Sequence, residues 1–133
     1  MNQPVEPTVV RGKTAANFKG AEGVVAKALI DGQSAGAKNV AFGYIAFAPG
    51  SSRPPETMEA EEIIYVLEGR TTIISGGKEF TLHAGDAIYI PPHTEHQHTN
   101  PDDTEVLRQL YIFSPPGEEG VREWPEVADG DVL

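Results

Sequence analysis

An all-β domain of antiparallel strands, closed as a sandwich or a barrel, is the fold class that this chain predicts. Short β-branched and aromatic runs recur with turn signals about every eight to twelve residues. No segment sustains a 3.6-residue apolar period, and 14 glycines and 11 prolines among 133 residues leave no room for a long helix. The length fits one domain large enough to bury a core.

Residues 1–23 are polar and punctuated by Pro4, Pro7, Gly12, Gly20 and Gly23, which predicts an N-terminal arm that orders only against a neighbour. A barrel is expected over 24–116. Its first strand is Val24 to Ile30, closed by the turn-rich DGQSAGAKN, and its second is Val40 to Ala48, ended by Pro49-Gly50. Glu62 to Leu67 follows, with a turn at Gly69. Thr71 to Ser75 and Lys78 to Leu82 flank Gly76-Gly77, the two-residue connection that tolerates positive φ and marks a hairpin. Ala84-Gly85-Asp86 turns the chain into Ala87 to Ile90, which Pro91-Pro92 stops. Glu95 to Thr99 is short and histidine-rich, and after the turn Asn100 to Asp103 a long last strand runs from Glu105 to Phe113. A tail over 117–133 carries the single tryptophan, Trp124, which either caps the barrel end or packs on a second subunit.

Composition narrows the chemistry. The formal net charge of -10 opposes phosphate backbones, so nucleic acid is not expected as a partner, and the acidity reads mainly as a solvated surface. No apolar run approaches a membrane span, and the first residues lack the basic and apolar regions of a signal peptide, so a cytoplasmic protein is expected. There is no cysteine, which excludes disulfides, thiolate metal sites and cysteine nucleophiles. Any metal must be held by histidine, carboxylate or backbone oxygen.

Two stretches organise the rest. Gly50 to Gly69 reads G-x5-E-x-M-x3-E-x6-G, and Gly85 to Asn100 reads G-x5-P-x-H-x2-H-x3-N, with Arg70 to Ala84 between them. Together they resemble the paired signature of the cupin superfamily, G-x5-H-x-H-x3or4-E-x6-G followed by G-x5-P-x-G-x2-H-x3-N. Every spacing is kept, but Glu56 and Met58 stand at the two histidine positions and His93 at the second motif's glycine. The resemblance covers roughly Val40 to Pro116 and implies a double-stranded β-helix, the jelly-roll barrel.

The resemblance also implies a divalent metal inside the barrel. Its ligand positions fall on Glu56, Met58, Glu62 and His96, of which Glu62 and His96 keep the family's residue types. Residues two apart on a strand share a face, so Glu56 should point with Met58, and His96 with His98. Imidazole and carboxylate suit Fe, Mn, Ni or Zn, whereas a thioether prefers soft ions. Met58 is therefore expected to line a substrate pocket rather than to coordinate. His98 is the candidate to replace a lost histidine, giving a set of Glu56, Glu62, His96 and His98, with Glu56 also a candidate general base. Alternatively, His98 lies at the barrel mouth and Glu56 is a rim residue. His93 is a candidate substrate contact at the pocket rim, and His83 reads as a structural residue before a turn. Tyr44, Tyr65, Tyr89 and Tyr111 read as packing residues on strands. Arg108 and Gln109 point to opposite faces of the last strand, so one of them lines the interior.

Three functions compete. One is a metal-dependent enzyme on a small oxygenated substrate such as a dicarbonyl, hydroxy acid or polyketide-like molecule, with chemistry of the oxygenase, decarboxylase, isomerase or lyase kind. Another is a metal-free cupin that binds a small molecule, and the third is a non-catalytic dimeric scaffold. Pairing of cupins through sheet edges and arms implies a homodimer.

Overall fold

The computed structural model describes residues 6–116, 120–128 and 133, so parts of the expected arm over 1–23 and tail over 117–133 lie outside the described residues. Ten strands are present: β1 Asn17–Ala21, β2 Val24–Ile30, β3 Ala41–Phe47, β4 Glu61–Glu68, β5 Arg70–Ser75, β6 Lys78–His83, β7 Ala87–Ile90, β8 Gln97–Thr99, β9 Leu107–Ser114 and β10 Glu126–Val127. The described helices are a single turn, α1 Gly32–Ala35, and a 3-10 turn at Val121–Glu123. No described helix is long and apolar enough to cross a membrane.

All strand pairings are antiparallel. Seven strands form one sheet in the order β10-β1-β2-β3-β9-β4-β7, and three form the other in the order β6-β5-β8, the arrangement of a jelly-roll barrel. Alternation decides which side chains enter. Along β9, Leu107, Gln109, Tyr111 and Phe113 are buried while Arg108, Leu110 and Ile112 are half-buried, the period of two that a strand imposes. Opposite them β3 contributes Ile45 and Phe47, and β4 contributes Glu62, Ile64 and Val66. With Val24, Ala26, Ile73 and Leu82 these apolar side chains make one continuous core.

Turn chemistry follows the sequence closely. Gly76 and Gly77 have φ of 59° and 75°, positive at both central residues as the tight hairpin between β5 and β6 requires. Gly69 has φ of 79°, and a Cβ there would come within 2.7 Å of the Val106 carbonyl. Asp31 caps α1, its carboxylate accepting from the Ser34 N–H while the Ser34 hydroxyl accepts from the Asp31 N–H.

One departure concerns the arm. Residues 17–21 form β1, paired with β2 on one side and with β10 on the other, and Asn17 and Phe18 are buried. Gly20 obscured this strand: the Trp124 indole lies directly over it, and a Cβ at residue 20 would sit 2.6 Å from the ring. Of the two expectations for Trp124, the structure realises packing against its own barrel.

Candidate functional site

The chain from Ser51 to Glu56 is irregular, yet it runs antiparallel beside β8. The Asn100 N–H donates to the Ser51 carbonyl, the Arg53 N–H to that of His98, and Glu56 and His96 exchange both backbone bonds at 2.9 Å. Residues paired in this way project to the same side, so Glu56 and His96 enter the barrel together, and His98 follows two residues later on the same face. From the opposite sheet Glu62 enters on β4, between Ile90 and Phe113.

Four polar ends converge there. Glu62 Oε1 lies 3.1 Å from His96 Nε2 and 3.3 Å from His98 Nε2. Glu56 Oε1 lies 3.8 Å and 3.7 Å from the same two nitrogens. The imidazole rings meet edge to face at 4.9 Å, and Glu62, His96 and His98 are buried while Glu56 is half-buried. His96 Nδ1 donates to the Thr94 carbonyl at 2.9 Å, so its Nε2 either carries a second proton for Glu62 or offers a lone pair to a shared cation. His98 Nδ1 is buried without a hydrogen-bond partner.

Electrostatics tie the cluster together. Burial pushes the Glu62 carboxyl up, but the charge of His98 and the hydrogen bonds of both imidazoles outweigh it and hold the group at about 2. Burial pulls His96 down, and its bonds to Glu62 and to the Thr94 carbonyl outweigh that, so the imidazole lies above its ordinary range.

These residues fit a metal. Imidazole nitrogens and carboxylate oxygens held about 2.0–2.2 Å from one ion lie roughly 3–3.5 Å from each other, close to the separations in this cluster. Donor atoms of Glu56, His96 and His98 all fall within 4.8 Å of one another, and every one is nitrogen or oxygen.

Glu56, Glu62 and His98 of the cluster line a small cavity of about 30 Å³, walled also by Ile45, Phe47, Ile64, Gln109, Tyr111 and Phe113. Arg53, Val121 and Trp124 complete its lining. Arg53 stacks 4.4 Å from the Trp124 ring centroid, donates to the Gly20 carbonyl and places Nη2 3.6 Å from Glu56 Oε2. The 3-10 turn beneath Trp124 is tied to the barrel by Arg122 Nε, 2.6 Å from Asp31 Oδ2.

Two expected substrate contacts fall elsewhere. Met58 is buried in the hydrophobic core and does not line the cavity, because the chain between Glu56 and β4 is not extended strand and the two side chains do not share a face. His93 is exposed in the turn after β7, with φ of 61°, and its N–H donates to the Met58 carbonyl. The left-handed backbone accounts for a glycine in the resembled motif, and His93 is not among the residues that line the cavity. His83 is exposed at a turn, where its N–H donates to Asp86. Tyr65 and Tyr89 are exposed on the outer face, Tyr44 accepts from Arg108, and Tyr111 faces inward. Of the last-strand pair, Gln109 lines the cavity and Arg108 points outward toward Glu68. Arg53 was not legible as a cavity residue, since its only signal was a cation three residues before Glu56, whereas Trp124 was a candidate to cap the barrel end and lines the cavity there.

Two antiparallel sheets enclosing a carboxylate–imidazole cluster define a small β-barrel protein with its candidate chemistry inside the barrel. The chain belongs to the cupin family, whose Cupin_2 cupin-domain model matches residues 43–113. An uncharacterised protein of Streptomyces coelicolor is 28% identical over 79 residues, 59% of this chain and 73% of that protein. An uncharacterised protein of Methanocaldococcus jannaschii is 46% identical over 41 residues, and this match spans only 33% of that protein. Among solved structures, an RmlC-like cupin from Shewanella frigidimarina superposes with a TM-score of 0.72 at 21% identity, covering 86% of this chain and 96% of that one. The polyketide cyclase RemF from Streptomyces resistomycificus superposes with a TM-score of 0.66 at 28% identity, covering 86% and 80%.

Proposed function

We propose that this chain is a divalent-metal-dependent cupin enzyme acting on a small oxygenated organic molecule, by chemistry of the oxygenase, decarboxylase, isomerase or lyase kind. The observation that carries this reading is the convergence of Glu56, Glu62, His96 and His98, three of which, Glu56, Glu62 and His98, line a cavity. Glu56, His96 and His98 would hold the ion, with Glu62 as a fourth donor. Fe, Mn, Ni or Zn suits such a set, and when bound would supply Lewis-acid or oxygen-activating chemistry. Glu56 is half-buried, and its carboxylate, beside Arg53, is the candidate general base for a molecule in the cavity. Likeness to a polyketide cyclase supports an enzyme over a scaffold.

A metal-free ligand-binding cupin is the second reading. It is favoured by the short contacts of Glu62 to both imidazoles, which form a consistent carboxylate–imidazolium network without an ion. Metal content by plasma mass spectrometry, on tag-free protein never exposed to chelator, separates the two. Near one ion per chain, lost in His96→Ala, is the expected result. Absence of metal that adding it back does not change would discard the metal-dependent enzyme.

The same reading takes the protein as a homodimer. Solvent-facing positions of an antiparallel strand are ordinarily polar, but the outer positions of β4 are Ile63, Tyr65 and Leu67, 41–42% exposed, beside Tyr89 at 54% on β7. Half-buried Leu110 and Ile112 on β9 continue this face. A second copy presenting the same apolar strip would cover it.

A further inference from the structure

Gln109 lies on the central β9, opposite Ile45 on one side and Val66 on the other. Its side chain is completely buried and lines the cavity with Glu62 and His98, yet neither Oε1 nor Nε2 has a hydrogen-bond partner. Buried amides are almost always bonded, because an unpaired one loses its hydration and gains nothing. Methionine would fill the same space in this apolar wall without that loss. The amide is therefore available to a group that enters the cavity.

We infer that Gln109 is the residue by which the cavity recognises a hydroxyl group of its substrate. This rests on the reading of the cavity as a substrate site. An amide presents a donor and an acceptor side by side, and a hydroxyl both accepts from Nε2 and donates to Oε1. A lone carboxylate would satisfy Nε2 but oppose Oε1. The cavity is small, about 30 Å³, which favours the oxygenated head of a molecule over a bulky group. The Arg53 guanidinium at the mouth then meets an acid group next to that head. The substrate class is a small α-hydroxy acid or a larger molecule ending in one.

Glycolate and acetate differ by that hydroxyl and carry the same charge. Calorimetric titration of the metal-loaded protein should give glycolate an advantage of about tenfold, and Gln109→Met should reduce it to within about threefold while leaving acetate and metal content unchanged. Ligand-free Gln109→Met should also melt above wild type. A lower melting temperature in the variant, an undiminished preference, or failure of wild type to bind either acid would each overturn the inference. Wild type that prefers glycolate but holds no metal would instead discard the metal-dependent reading and leave this one standing.

Discussion

Asn100 directly follows β8, the strand that carries His98, and replacing it should destabilise the barrel in a way its size does not explain. The side chain is buried, and its Nδ2 lies 3.0 Å from the Phe47 carbonyl, 3.2 Å from that of Ala48 and 2.9 Å from that of Glu105. Its Oδ1 accepts from the Asp102 N–H at 3.0 Å. Two N–H groups cannot serve three carbonyls fully, so the amide is worth about three net bonds. At roughly 1 kcal/mol each, Asn100→Ala loses about 3 kcal/mol. One kcal/mol shifts the melting temperature of a domain of this length by about 3–5 °C, so the midpoint should fall by roughly 10–15 °C. Asn100→Asp keeps the shape but turns an acceptor toward three carbonyl oxygens, and should be worse than alanine at neutral pH. Thermal and urea unfolding followed by circular dichroism measure both variants. Asn100→Asp as stable as wild type, or more stable than Asn100→Ala, would refute the hydrogen-bond account and leave only space-filling.

Further outcomes follow from contacts elsewhere. Gly43→Ala would drive a Cβ into the Lys27 carbonyl and the Tyr111 hydroxyl, well inside van der Waals contact, so it should push that phenol off the cavity wall. A loss of about 2–4 kcal/mol in urea unfolding is expected, and a change under 1 kcal/mol would contradict the close approach. Burial raises the Asp31 carboxyl, but the hydrogen bond and charge of Arg122 and the Ser34 N–H outweigh it and hold the group below its ordinary range. Its contribution is therefore complete above an ordinary aspartate pKa of about 4 and lost as pH falls through the folded value. Wild type should be more stable than Asp31→Asn at pH 6, with the gap closing toward pH 3; a gap constant across that range would contradict the sign. Tyr89→Glu should reduce a dimer to a chain of 14.3 kDa by light scattering, and a monomeric wild type would remove the basis of the dimer reading.

Most of the barrel was legible because local chemistry and tertiary structure agree there. Val24 to Ile30 and Ala87 to Ile90 are strands with the expected bounds, and the Gly76-Gly77 hairpin follows from two positive φ values that few other residues accept. Other features depend on contacts that spacing does not encode. β1 looks like a loop because Gly20 is needed beneath Trp124, a partner more than a hundred residues away. Period-two reasoning brings His96 and His98 to one face because the Glu56–His96 bridge keeps the chain extended into β8, but it misplaces Met58, since no strand connects it to Glu56. Which of Arg108 and Gln109 faces inward is set by the register of β9 between β3 and β4, and alternation alone leaves both choices open.

Charge around the cavity constrains what can occupy it. Glu56 and Glu62 are opposed by one guanidinium, that of Arg53, so with neutral imidazoles the lining carries a net charge of -1. On the proposed reading a divalent ion changes this to +1, which one monoanionic acid cancels. Stripping the ion with a chelator should therefore weaken glycolate and acetate by the same factor, because both present one carboxylate to the same field. Gln109→Met acts instead on the difference between them. If loss of the ion erased the advantage of glycolate, its hydroxyl would be a ligand of the metal, and hydroxyl recognition would pass from Gln109 to the ion. If chelation left both affinities unchanged, Arg53 alone would account for the acid group, and the pocket would be read as a metal-free binding site.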